Sequence, residues 1–196
     1  VADRWYCSDH HLAHHNIIKY GNRPFKDLAE MHDALVTYHN ELVKPQDHVS
    51  FLGDVTIKRG GKLDREWFRK EIARYNGHKR IYLGNHDHWP VKVYLDAGFE
   101  KIYATWRSEE RVLCSHIPIH PRSLGSAICN VHGHIHQNPD YEPVVVGDRV
   151  IPYINVSVEV IDYRPIHLDE ILARVRRANV KDNLALDISD ATASKE

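Results

Sequence analysis

The sequence predicts an α/β domain, and three features carry that expectation. Short apolar runs suited to strands alternate with helical periodicities in the first half of the chain. A strand-rich stretch follows. A polar cluster stands directly after each of five apolar runs. In α/β sheets functional groups gather at the carboxyl ends of strands, so five such ends can converge on one crevice.

Residues 3–8 read as a first strand that ends at Asp9. Over 26–43, Leu28, Met31, Leu35, Tyr38 and Leu42 recur at the spacing of one helix face. Residues 49–52 form a short buried strand before Gly53-Asp54. A second helix turns Leu63, Trp67, Phe68, Ile72 and Tyr75 inward, with Asn76-Gly77 as its cap, because Gly tolerates the left-handed conformation. Residues 80–83 make a third strand ending at Gly84-Asn85-His86-Asp87. Residues 99–103 and 111–114 read as strands, the second ending at Ser115-His116. Two prolines and a glycine make 117–127 a loop, after which 127–131 leads into Gly133-His134-Ile135-His136. β-Branched runs around Gly147-Asp148 predict a hairpin within 144–161. A last helix starts near Leu168, with Ile171, Leu172 and Val175 on one face. Residues 1–180 are expected to form the domain and the polar stretch 181–196 a flexible tail.

Composition narrows the classes of function. A chain of 196 residues can bury a real core, and 42% hydrophobic with 27% charged residues is typical of a soluble globular protein. Because 26 basic side chains nearly balance 27 acidic ones, no strong nucleic-acid-binding patch and no attraction to an anionic membrane are expected. No apolar stretch is long enough to cross a bilayer, and no secretory leader is evident. Cys7, Cys114 and Cys129 lie in apolar runs, as small buried hydrophobes of a reducing compartment would, so a cytoplasmic location is expected. Of the 16 histidines, His32, His39, His48 and His78 are expected to be ordinary surface or half-buried residues.

The polar clusters supply metal-ligand chemistry. Asp9 and His11 are two apart, so in an extended segment both project to one side. His134 and His136 repeat that spacing, and His116 comes from a neighbouring strand end. Asp54 has two oxygens that can reach two ions, and Gly53 lets the backbone bend tightly beneath it. Asn85 can offer its carbonyl oxygen to a metal and its amide nitrogen to a phosphate oxygen. His86, pointing elsewhere, suits a proton donor that Asp87 would orient. Mixed imidazole and carboxylate donors favour Mn, Fe, Zn, Ni or Co over Ca.

With these clusters in this order, the chain resembles the calcineurin-like metallophosphoesterases, most closely the small uncapped bacterial and phage type. The likeness runs from Trp5 to about Arg177 and includes Ser8-Asp9-His10-His11, His14-His15-Asn16-Ile17-Ile18, Asn22-Arg23-Pro24-Phe25, Asn155-Val156-Ser157-Val158 and Asp162-Tyr163-Arg164-Pro165. Ala13 departs from it, where that type usually has Gly. The resemblance implies a four-layer α-β-β-α sandwich and two divalent transition-metal ions. Asp9, His11 and His136 would hold the first and Asn85, His116 and His134 the second, with Asp54 between them and His86 as the catalytic histidine.

The expected activity is hydrolysis of phosphate esters, diesters before monoesters, by direct attack of a hydroxide shared by the ions. A small ester, nucleotide-type among others, is the expected substrate. The rival readings are a phosphomonoesterase and a non-catalytic metal-binding scaffold. His14, Asn16, Arg23 and Arg122 are further candidates for substrate contact, and Asp87 for support.

Overall fold

The computed structural model describes residues 2–57 and 61–193, with the side chains of Leu63 and 181–193 outside the described set. In chain order its elements are β1 (Arg4–Cys7), α1 (Ile17–Tyr20), α2 (Leu28–Leu42), β2 (His48–Phe51), α3 (Lys62–Ile72), β3 (His78–Tyr82), α4 (Val91–Asp96), β4 (Phe99–Tyr103), β5 (Thr105–Arg107), β6 (Val112–Ser115), β7 (Cys129–His132), β8 (Val144–Val146), β9 (Arg149–Ile151), β10 (Tyr153–Asn155), β11 (Ile166–His167) and α5 (Leu168–Ala193).

The strands make two main sheets, so the protein is a mixed α/β structure. One has the order β11-β1-β2-β3-β4, the other β10-β7-β6-β5, and β8 and β9 pair as a separate hairpin. Strands β1 to β4 run parallel, with β11 antiparallel to β1. In the second sheet β10, β7 and β6 are parallel and β5 is antiparallel to β6. A parallel pair needs a crossover connection, and α2 and α3 supply those between β1, β2 and β3. Both sheets contribute to one buried cluster, Cys7, Val49, Phe51 and Ile81 from the first and Val112, Cys114, Val131 and Ile154 from the second. Met31 and Leu35 of α2, Phe68 and Ile72 of α3, and Tyr94 of α4 join the same cluster.

Several local expectations need correction. The buried face of α2 is Met31, His32, Leu35, Val36 and His39, rotated from the predicted stripe, so His32 and His39 are interior. His32 Nε2 accepts the Ala13 N–H at 3.1 Å. His39 Nε2 lies 3.0 Å from the Asn76 carbonyl, and burial lowers its pKa to about 4, so the ring is neutral. Helix α3 stops at Ile72, short of the predicted cap, and Gly77 (φ 93°) instead turns the chain into β3. The inward role expected of Leu63 lies outside the described residues. Helix α5 continues to Ala193, into the stretch expected as a tail, and residues 194–196 lie outside the described residues. Helix α4 and strand β5 are too short to show a readable period. The three cysteines are free and buried as expected, and burial raises all three thiol pKa values. Among the described residues no helix is long and apolar enough to cross a membrane.

Asp47 fastens the amino edge of the first sheet. Its carboxylate, 1% exposed, accepts the N–H groups of Asp3 (3.0 Å) and Lys44 (2.9 Å) and the Trp5 indole N–H (3.3 Å). Burial opposes its ionisation, but the Lys44 and Asp3 amides outweigh burial and hold the carboxyl below its usual pKa. A depressed folded pKa gives stability that is present above the unfolded value of about 4 and is lost as pH falls through the folded value. Asp47→Ala should therefore lower the unfolding free energy by about 1–3 kcal/mol at neutral pH. Urea unfolding should show that gap shrinking as pH is lowered towards 3; a gap independent of pH would contradict the assignment.

Candidate metal centre

The parallel strands deliver all five polar clusters to one edge of the molecule. Backbone bonds lace the strand ends together there: Asp9 N–H to the Gly53 carbonyl (3.0 Å), His11 N–H to Asp54 (2.9 Å), Gly133 N–H to His116 (3.0 Å) and Val158 N–H to Ser8 (3.1 Å). The last bond accompanies a parallel bridge between Ser8 and Ser157 and ties the two sheets together beside the cluster.

Two groups of ligating side chains result, Asp9 with His11 and His136, and Asp54 with His116 and His134. Within each group the ligating atoms lie within 4.8 Å of one another. Asp9 Oδ1 is 3.8 Å from both His11 Nε2 and His136 Nε2. Asp54 Oδ2 is 3.4 Å from His116 Nε2 and also 3.6 Å from His11 Nε2, so this one oxygen faces both groups. Asn85 Oδ1 lies 3.0 Å from His116 Nε2. His86 Nε2 is 4.0 Å from Asp54 Oδ2, with its side chain 41% exposed at the mouth.

Neighbouring groups fix each ligand by the atom that does not face the cluster. Asp9 Oδ2 accepts from Ser157 Oγ and from the His134 N–H, both at 2.9 Å, while Asp54 Oδ1 accepts the His86 N–H at 2.8 Å. His116 Nδ1 lies 2.8 Å from the Leu52 carbonyl and His136 Nδ1 lies 2.9 Å from Glu159 Oε1. Such bonds set the tautomer and turn Nε2 inward. The Asp87 carboxylate accepts the N–H groups of Asp54 (2.7 Å), Gly84 (2.9 Å) and Val55 (3.2 Å). Asp87, expected to orient the His86 ring, anchors the Asp54 loop through these three amides.

The backbone is not extended at the ligands. Asp9 (φ 60°), His11 (50°), Asp54 (50°), His134 (73°) and His136 (50°) all occupy the left-handed region. This corrects the expectation that Asp9 with His11, and His134 with His136, share one face of extended chain. The second pair instead splits between the two groups. Non-glycine residues in this region cost about 1–3 kcal/mol each and concentrate at functional sites. Ala13 also has positive φ (64°), a conformation that glycine adopts without steric cost. Gly53 (φ 91°) bends as predicted, and a Cβ on it would lie 2.5 Å from His116 Nδ1. A Cβ on Gly84 would strike Asp54, and one on Gly133 would strike Ser8 and Asp9.

Charge is concentrated here. Burial disfavours ionised Asp9, yet His11, His116 and His136 hold its carboxyl well below the usual carboxylate range. Asp54 is likewise lowered, burial being outweighed by the neighbouring His116 imidazole. His116 is pushed up to about 9, because Asp54 and Asp9 outweigh the burial of the ring. For His136 burial is outweighed by Glu159, which raises it, whereas burial and the neighbouring His116 lower His134. Asp9 Oδ1 and both ring nitrogens of His11 are buried with no hydrogen-bond partner among the described residues. Unpaired buried acceptors are costly. A divalent cation would satisfy them, and the donor set is one that transition metals take.

The secondary candidates separate. His14 is half-buried with its ring 5.6 Å from that of His11, and it shares a hollow of about 320 Å³ with His11, His86 and His136. Asn16 is exposed at the start of α1 and makes no capping bond with its side chain. Arg23, expected at the substrate, is instead 4% exposed and structural. It donates to the carbonyls of Asp9 (2.6 Å) and His10 (2.8 Å) and pairs with Glu159 (2.6 Å). Arg122 is exposed on the turn Pro121–Ser123, where its N–H donates to His120 Nδ1. Sequence reasoning missed Glu159, the partner of both His136 and Arg23. It follows directly on the Asn155–Val158 stretch, but no spacing rule marks it. Asn155 Nδ2 supports the same loop through the His136 carbonyl at 2.7 Å.

These features define a mixed α/β protein whose strand ends carry two Asp/His groups able to hold metal. The chain is 35% identical to the uncharacterized protein MJ1445 of Methanocaldococcus jannaschii over 175 residues, 88% of this chain and 91% of that protein, and it belongs to the same family. It is also similar to the crystal structure of AQ665 from Aquifex aeolicus, a protein of unknown function. The TM-score is 0.65 at 28% identity, over 87% of this chain and 98% of that one. No family model matches this chain.

Glu159 and Arg23 form a buried pair, with side chains 4% and 0% exposed. Removing one partner of such a pair typically costs about 3–5 kcal/mol, whereas replacing both with apolar groups costs far less. Glu159→Ala should accordingly destabilise the protein more than the double change Glu159→Leu with Arg23→Met. Denaturant unfolding of the two variants checks this, and the reverse order would contradict it.

Proposed function

We propose that this protein is a metal-dependent phosphoesterase of the calcineurin-like type, acting on phosphodiesters in preference to monoesters. The four-layer α-β-β-α sandwich is part of the same proposal. The observation that carries it is the position of Asp54 Oδ2, within 3.6 Å of His11 Nε2 in one group and 3.4 Å of His116 Nε2 in the other. A carboxylate placed there can be common to two adjacent cations. The buried, unpartnered Asp9 Oδ1 and His11 nitrogens support it independently.

On this reading Asp9, His11 and His136 would hold one ion and Asn85, His116 and His134 the other, with Asp54 placed to serve either. Two bound transition-metal ions of the Mn, Fe, Zn, Ni or Co type supply an activated water at neutral pH and offset the charge of the phosphoryl oxygens. The protein's own groups do the rest. Asn85 Nδ2 is available to a phosphoryl oxygen when Oδ1 faces the ligands. His86 stands at the mouth with its backbone N–H fixed on Asp54 Oδ1. Its ring donates a proton from Nε2 to the departing ester oxygen, the role of a general acid. Glu159 and the Leu52 carbonyl hold His136 and His116 in the ligating tautomer.

His86→Ala should lower turnover by about 10²–10⁴-fold with metal content unchanged. Asp54→Ala should lose metal as well as activity. The measurement is metal content beside hydrolysis of an aryl diester and its monoester, with stripped protein reconstituted in turn with Mn, Zn, Ni and Mg. Full diester activity in His86→Ala would remove His86 from the mechanism, and a clear monoester preference would overturn the diester assignment.

A further inference from the structure

The hollow beside the two ligand groups has a second wall that the chemistry above does not use. It is formed by Ile17 and Tyr20 of α1 and by Gln137 and Asn138 of the turn after His136. The volume of about 320 Å³ is near the lower end of the range for small-molecule pockets. It accommodates one ring system with its sugar-sized attachment and is far too small for a folded macromolecule.

The chemistry of this wall is selective. Among the described residues its lining contains imidazole, aliphatic, phenol and amide groups but no Lys, Arg, Asp or Glu. A further phosphate on the bound arm would find no cation to neutralise it, and a cationic arm would find no carboxylate. Tyr20 is 66% exposed, and its ring stands edge-on to His14 at 6.2 Å. The Tyr20 carbonyl accepts from Gln137 Nε2 at 3.5 Å, which joins α1 to the turn. Asn138 Nδ2 donates to the Ile135 carbonyl at 2.7 Å. Each amide nitrogen keeps a second N–H, so Gln137 and Asn138 offer a ligand both a donor and a side-chain oxygen acceptor. An exposed aromatic ring beside amide groups suits a flat, uncharged ring with donors and acceptors on its edge.

Resting on the phosphoesterase reading, we propose that the hollow receives a nucleoside as one arm of the phosphodiester, with its base stacked on Tyr20. The arm is the retained group when the leaving group is an aryl alcohol. Water adds across the P–O(aryl) bond, releasing the aryl alcohol and leaving the nucleoside monophosphate.

Three esters that share p-nitrophenolate as leaving group test this: the methyl, phenyl and thymidine-5′ p-nitrophenyl phosphates. Tyr20→Ala should raise KM for the thymidine ester about tenfold more than for the methyl ester, the scale of one base–aromatic stack. Tyr20→Phe, which keeps the ring face, should bring KM back to near the wild-type value. Equal effects of Tyr20→Ala on the methyl and thymidine esters would overturn the proposal. A phenyl ester as good as the thymidine ester would reduce the wall to an apolar contact and also overturn it. A second readout needs no turnover: saturation-transfer NMR with thymidine should mark the base protons in the wild type and lose them in Tyr20→Ala. If none of the esters is hydrolysed, the phosphoesterase reading fails, and the NMR result alone decides the site. Absence of base saturation in the wild type then counts against it.

Discussion

The arrangement depends on one concentration of charge, two buried carboxylates surrounded by imidazoles. Asp9 and Asp54 are 0% and 2% exposed. Each spends one oxygen on protein donors, Asp9 on Ser157 and the His134 amide, Asp54 on the His86 amide. The other oxygen of each is turned towards imidazole nitrogens at 3.4–4.0 Å. That spacing is too long for a normal hydrogen bond and leaves room for a cation between donors. The same charge raises His116, whereas burial and the neighbouring His116 lower His134.

Holding such a group together requires an unusual backbone. Five ligands sit at positive φ, and three glycines allow the loops to approach more closely than a Cβ would permit. Local strain of this kind persists only where the surroundings over-determine it. Here the surroundings are the strand-end hydrogen bonds, the Asp87 carboxylate gathering three amides, and the Arg23–Glu159 pair under the first group. Arg23 holds the Asp9 and His10 carbonyls while Glu159 holds His136, so one buried pair braces both sequence-distant sides of the same group.

The strand ends were legible in the sequence because each was written twice, as an apolar run and as the polar cluster that follows it. The structure brings Asp9 together with His11 and His136, and Asp54 with His116 and His134. Local geometry was less legible. A spacing of two residues implies a common face only when the chain is extended, and left-handed residues break that rule at both Asp9–His11 and His134–His136. The supporting residues carry no periodic signal at all. Glu159, 136 residues from Arg23, meets it only because Ser157 bridges to Ser8 at the ends of two sheets. In α2 the hydrophobic pattern misplaced the face because His32 and His39 are interior, each bonded to a backbone group that no sequence pattern reveals.

The site therefore divides into parts built on different physical terms. Its floor is braced: buried ligands, bonded amides and a charge pair that loses much of its value if either partner is removed. Its outer wall is a four-residue helix and a turn joined by the long Gln137–Tyr20 amide bond, with an exposed ring at the rim. A short helix has little stability of its own, so α1 relies on Ile17, which is 4% exposed and packed in the core, to keep Tyr20 in place. Chemistry that needs fixed charge can then reside in the floor. Selection among substrate arms can reside in the wall, where a change of side chain leaves the buried ligands and their supports untouched.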